Sequence, residues 1–132
     1  MISGISNRRR FADLTEQEVL ALAISSEEDD ARIYRTFAQG LRAEYPASAA
    51  VFDEMAAEED THRQMLIDLH VVRFGDVIPL IRREHVAGHY ARKPVWLTAN
   101  LPVATIRTEA AAMEAEAHTF YTRAAQTTTD AA

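Results

Sequence analysis

The stretch Glu58-Glu59-Asp60-Thr61-His62 holds a carboxylate and an imidazole three residues apart, Glu59 and His62. On an α-helix, residues i and i+3 share a face, so this pair converges on one point and has the spacing of a metal half-site. A lone Glu-x-x-His is common on wet helix surfaces and carries little weight alone. Its helical neighbours here are Phe52, Met55, Ala56, Leu66 and Leu69, which together with His62 read as a buried stripe. A carboxylate placed in such a stripe must be paired, protonated or bound to a metal.

At 132 residues the chain is one domain, long enough to bury a core of its own. Only four glycines and four prolines, in a composition rich in Ala, Glu, Leu and Arg, favour helix. The net charge of -6 and pI near 5.3 argue against nucleic acid as a partner, because phosphate binding needs a concentrated positive surface. Arg8-Arg9-Arg10 is a small exception and reads as a solvated N-terminal tail. There is no cysteine, which excludes disulfides, thiolate zinc sites and four-cysteine iron centres, so any metal is held by carboxylates and imidazoles. No apolar run of about twenty residues and no signal-peptide core is present, and the chain as given reads as soluble and cytoplasmic.

The pattern predicts an all-α bundle with three long helices and a long crossover before the third. Residues 1–14 read as a flexible lead-in with one apolar anchor, Phe11. Thr15 and Glu18 form a capping box, and a helix follows to about Ala43 with Leu20, Ala23, Ile24, Ala31, Tyr34, Ala38 and Leu41 as its apolar stripe. Glu27 falls in the middle of that stripe, while most of Glu28-Asp29-Asp30 reads as solvent-facing. After Tyr45-Pro46, Ser48 caps a second helix that ends at Gly75, and the short connection makes the two antiparallel neighbours. Residues 75–102 hold too many glycines and prolines for one long helix yet are apolar, so they read as a packed crossover with short helices at 76–83 and 84–91. His85 and His89, an i, i+4 pair in it, lack an acidic partner and read as surface or packing residues. A third helix starts at Pro102 and runs to about Gln126, with Val103, Ile106, Ala110, Ala111, Ala117, His118, Tyr121 and Ala125 as its stripe and Glu114 in the middle.

Glu27 precedes Tyr34 by seven residues, and Glu114 precedes Tyr121 by seven. Seven residues are nearly two turns, so each Tyr shares a face with its Glu. A duplicated helix pair would repeat the Glu-x-x-His as far after Glu114 as Glu59 lies after Glu27, beyond the last residue, Ala132. The expectation is a fragment whose fourth helix, with the second half-site, is left off.

These residues carry a resemblance. Glu27 with Tyr34, Glu59-x-x-His62 and Glu114 with Tyr121 resemble the ferritin-like di-iron carboxylate proteins, in particular the rubrerythrin-like (erythrin) domain of membrane-bound ferritins that carry a vacuolar-iron-transporter-like membrane domain. The stretches 25–34, 78–83 and 94–97 resemble the same subfamily, and the likeness runs from about Leu14 to Ala132. It implies a truncated domain over 15–132, with Glu27, Glu59, His62 and Glu114 as iron ligands and Tyr34, Tyr121 and His118 around them. It further implies a cytoplasmic domain of an inner-membrane protein. The second Glu-x-x-His, the membrane domain and the cysteine-ligated module of typical rubrerythrins have no counterpart in this sequence.

Carboxylates suit iron because hard oxygen donors hold both its oxidation states, and imidazole completes the sphere while leaving positions open. The expected activity is ferroxidase-like, oxidation of iron(II) by oxygen or peroxide in the service of an iron-export membrane module. Other divalent metals are expected to substitute for iron in vitro. A simpler reading has the three glutamates snorkelling out of the bundle, neutralised by Arg32, Arg63 and Arg107. The other function class is a structural or regulatory dimerisation domain in which the metal is only a staple. An apolar seam left by the fourth helix predicts a homodimer.

Overall fold

The computed structural model describes residues 9–87 and 101–127. Over them the chain is an all-α bundle of three long helices, α1 (Glu16–Leu41), α2 (Pro46–Phe74) and α3 (Val103–Thr127). Two short strands, β1 (Arg9–Arg10) and β2 (Val86–Ala87), pair in parallel beside them.

α1 starts where its caps dictate. The Thr15 hydroxyl accepts from the Glu18 N–H at 3.1 Å, and the Glu18 carboxylate accepts from the Thr15 N–H at 2.9 Å. The helix is buried on two adjacent faces. Val19, Leu22, Ser26, Asp30, Ile33 and Phe37 form one stripe, and Ala23, Glu27, Ala31, Tyr34, Ala38 and Leu41 the other. It is therefore the central element, and both stripes need cover.

α2 covers one. It begins three residues earlier than the Ser48 cap predicts, at Pro46, whose fixed φ and missing N–H suit a first turn, with Tyr45 at the N-cap. It ends at Gly75, where φ is 95°, a backbone that L side chains rarely adopt. The Gly75 N–H donates to Val71 at 3.1 Å, and the fully buried His70 donates from Nδ1 to the Gly75 carbonyl at 2.9 Å. Ion pairs Arg73–Glu16 (2.5 Å), Arg35–Asp60 and Arg42–Asp53 (2.8 Å) run down the antiparallel pair. Each is partly exposed and screened by solvent, so they set register more than stability.

The inward stripe of α2 is Ala49, Phe52, Ala56, Glu59, Arg63, Leu66 and His70. It differs from the predicted stripe by part of a turn: His62 and Leu69 lie on its shoulder and are exposed. Phe52 packs edge-on to Phe37 and stacked on Tyr34, with ring centroids 5.5 and 6.0 Å away. Ile106, Ala110 and Met113 of α3 close this core.

The other face of α1 is covered by the crossover and the lead-in. The predicted helix at 76–83 does not form. Residues 76–82 are non-helical, and only a 3-10 turn, Arg83–His85, precedes β2. The predicted helix at 84–91 likewise reduces to that turn and β2 as far as Ala87; His89, Trp96 and Leu97 lie outside the described residues. The reason is side-chain anchoring: Ser25 donates to the Ile81 carbonyl (2.6 Å), Arg82 pairs with Asp29 (2.9 Å) and Arg83 with Asp30 (2.9 Å). Of the run Glu28-Asp29-Asp30, most of which was expected to face solvent, Asp30 is buried, because a cation from the crossover reaches it, and Glu28 and Asp29 are half-buried.

The lead-in is also tied down from Arg9 onward. Phe11 sits in a second core with Leu22, Val86 and Phe120; its ring meets Phe120 edge-on at 5.8 Å, and the Arg123 guanidinium lies 4.5 Å above it. If Phe11 is core, Phe11→Ala will lower the unfolding free energy in urea by about 3–5 kcal/mol. A change under about 0.5 kcal/mol, the usual size at a surface position, would mean that it is a dispensable tail.

Candidate metal centre

Glu27, Glu59 and His62 meet at the middle of the α1/α2 pair, each offering a ligand atom within 4.8 Å of the others. α1 supplies Glu27 from its deeper stripe, 5% exposed. α2 supplies Glu59 from its inward stripe and His62 from the shoulder beside it. His62 Nδ1 is 4.0 Å from Glu27 Oε2, and its side chain is 54% exposed, so one side of the group opens outward.

The hydrogen bonds of Glu27 are uneven. Oε1 accepts from the Tyr121 hydroxyl of α3, whereas Oε2 is buried and has no hydrogen-bond partner while the neighbouring Glu59 is ionised. An orphaned carboxylate oxygen at this depth is costly unless a cation or proton reaches it. Burial, then the hydrogen bond and charge of Glu27, then the charge of Asp30, push the Glu59 carboxyl up to about 9, with Arg83 pulling the other way. Two adjacent carboxylates that resist joint ionisation are what a divalent cation relieves. Burial and the Glu27 charge also hold Tyr121 protonated as a donor. Carboxylate oxygens and imidazole, with an orphaned oxygen among them, fit a divalent transition metal.

Beside the group lies a buried ion pair that sequence reasoning missed. Arg83 donates to the Ser26 hydroxyl (3.0 Å) and the Ser26 carbonyl (2.9 Å) and pairs with Asp30, all of them buried. The signal was present in outline: Asp30 lies three residues after Glu27 on the same side of α1. Its cation, distant in sequence, gave none. Of the arginines expected to neutralise the glutamates, Arg32 pairs with Glu28 at 3.4 Å instead.

α3 departs from its predicted face. Its buried residues are Ile106, Ala110, Met113 and Phe120, and Glu114 and His118 are exposed. On an ideal helix Glu114 stands about 80° from Ile106 and His118 about 120°. Glu114 is thus no part of the converging group. Tyr121, also on the shoulder, reaches Glu27 across the bundle, while Tyr34 lies buried in the aromatic cluster with Phe37 and Phe52.

Among the described residues no helix is long and apolar enough to cross a membrane. The family model described as Rubrerythrin matches residues 18–132. No curated protein and no solved structure matches.

The raised Glu59 value gives a pH signature for the metal-free chain. The folded state binds the Glu59 proton more tightly than the unfolded state. Its contribution is intact below the ordinary 4.5 and is lost as pH rises toward 9. Urea midpoints measured in chelator at pH 5, 7 and 9 (conditions about evenly spaced across that window) will fall more steeply for the native chain than for Glu59→Gln. Parallel profiles would remove the coupling between the two acids.

Proposed function

The chain belongs to the rubrerythrin family, whose fold is the ferritin-like di-iron type, and we propose that it binds iron at Glu27, Glu59 and His62 and oxidises iron(II) there. The orphaned Oε2 of Glu27, facing Glu59 and His62, is the observation that carries this reading. Each iron(II) gives one electron to oxygen or peroxide. Bound iron would supply the redox couple and open coordination positions.

The protein's own residues prepare the place. Tyr121 holds one oxygen of Glu27 and leaves the other turned to the group. Glu59 keeps a proton until a cation takes its place, so loading releases that proton. The Arg83–Asp30 pair fixes the wall behind the acids through Ser26. His62, the exposed member, marks the side from which an ion enters. The likeness to membrane-bound ferritins extends the proposal to a cytoplasmic domain that delivers oxidised iron to an export module at the inner membrane. A second reading, a structural or regulatory dimerisation domain stapled by metal, draws on the exposed apolar side of α2, where Met65 is 64% and Val72 84% exposed.

Iron(II) added under air, followed by ultraviolet absorbance, tests the reading. The native chain is expected to oxidise iron faster than buffer, and Glu59→Ala to lose at least the ~10–100-fold typical of changes one shell further out. Equal rates for the native chain and Glu59→Ala would overturn it. Glu114→Ala separates the ligand sets: an unchanged rate supports the three residues above, and a loss like that of Glu59→Ala restores Glu114 as a ligand.

A further inference from the structure

Arg83 clasps the turn of α1 that contains Glu27. Its Nε donates to the Ser26 hydroxyl at 3.0 Å, and its Nη2 donates to the Ser26 carbonyl and pairs with Asp30, both at 2.9 Å. Ser26 precedes Glu27 and Asp30 follows it by three residues, so the guanidinium lies across the helical turn that presents the candidate ligand. The contact is dry, with Arg83 6% and Asp30 4% exposed. It is also incomplete: among the described residues, Nη1 of Arg83 is buried without a hydrogen-bond partner. A buried donor left unmade weakens the hold of the group that carries it.

The charges beside this contact are unbalanced. Glu27, Glu59 and Asp30 gather carboxyl groups round the turn, and Arg83 is a cation whose charge reaches Glu59. Asp30 and Arg83 act on Glu59 in opposite senses, so both are felt at the candidate metal group. A divalent ion that displaces a single proton from Glu59 leaves the group one charge more positive. That gain falls beside a guanidinium in a low-dielectric interior, where like charges repel far more than in water.

We propose that the crossover is a metal-sensitive strap: Arg83 serves as a tethered counter-cation of the acids in the metal-free chain, and a bound divalent cation competes with it and loosens residues 81–85 from α1. This rests on the metal reading of Glu27, Glu59 and His62. The other ties of the strap limit the movement. Val86 is fully buried in the second core with Phe11 and holds the far end, so the loosening is a local opening and not a detachment. The amides that report it are those of the turn: the His85 N–H donates to the Arg82 carbonyl at 2.9 Å, and the Arg82 N–H to His85 Nδ1 at 3.2 Å. Coupling between two sites is reciprocal, so the factor by which the ion weakens the strap is the factor by which the docked strap weakens the ion.

Hydrogen exchange of the full chain, read by mass spectrometry in chelator and in saturating Mn(II), tests this, with Mn(II) affinity measured alongside by calorimetry. Peptides covering Glu27 and Glu59 to His62 are expected to slow, while the peptide covering 81–87 exchanges at least about fivefold faster, the lower end of ordinary coupling. By reciprocity, Arg83→Gln will bind Mn(II) at least about fivefold more tightly and Asp30→Asn at least about fivefold more weakly, each with helical content checked by circular dichroism. The exchange of the native chain decides the matter even where a variant fails to fold. A strap peptide that slows or stays unchanged while the Glu27 and Glu59 peptides slow would overturn the strap and leave the metal reading intact, as would weaker binding by a folded Arg83→Gln. No Mn(II) binding by the native chain would overturn both.

Discussion

The structure turns on a carboxylate buried at the centre of its central helix. Glu27 lies in one of the two buried stripes of α1, and an ionised group at that depth is tolerated only if its surroundings replace water. The replacement comes from each neighbour in turn. α3 brings the Tyr121 hydroxyl, α2 brings Glu59 and His62, and the crossover brings Arg83 to the adjacent Asp30. The oxygen that Tyr121 does not hold lies 4.0 Å from His62, in the group it forms with Glu59.

That arrangement explains why the crossover is irregular over residues 76–82. Apolar content alone would allow short helices there, but three side chains of α1, Ser25, Asp29 and Asp30, hold the chain at Ile81, Arg82 and Arg83. The same anchoring delivers Val86 and β2 to β1, and Phe11 beside it into the second core. A segment fixed by polar contacts with a distant helix has no local periodicity to announce it.

Much of the fold was legible because it is written locally. The Thr15/Glu18 box, the stop at Gly75 and the start of α3 after Pro102 are short-range signals, and each matches the structure. The inward placement of Glu27 was legible from its apolar neighbours. The face of α3 was not, since Ala110, Ala111, Ala112, Ala115, Ala117, Ala124 and Ala125 spread small apolar residues around the helix and blur its stripe. On α2 the two apolar stripes overlap, so His62, Leu66 and Leu69 read as one buried strip although only Leu66 packs inward. The Asp30–Arg83 pair was illegible because its partners lie more than fifty residues apart in sequence.

Among the described residues, then, the candidate site is a compact group of three side chains able to ligate a metal, with an outward-facing histidine, and the third helix contributes a hydrogen bond to it. Crystals soaked in Mn(II) or grown with iron under exclusion of oxygen, with anomalous scattering measured at the metal edge, test this most directly. The account predicts a peak bounded by Glu27, Glu59 and His62. A peak at Glu114 and His118 with none at Glu27, or no peak at all at saturating metal, would contradict it.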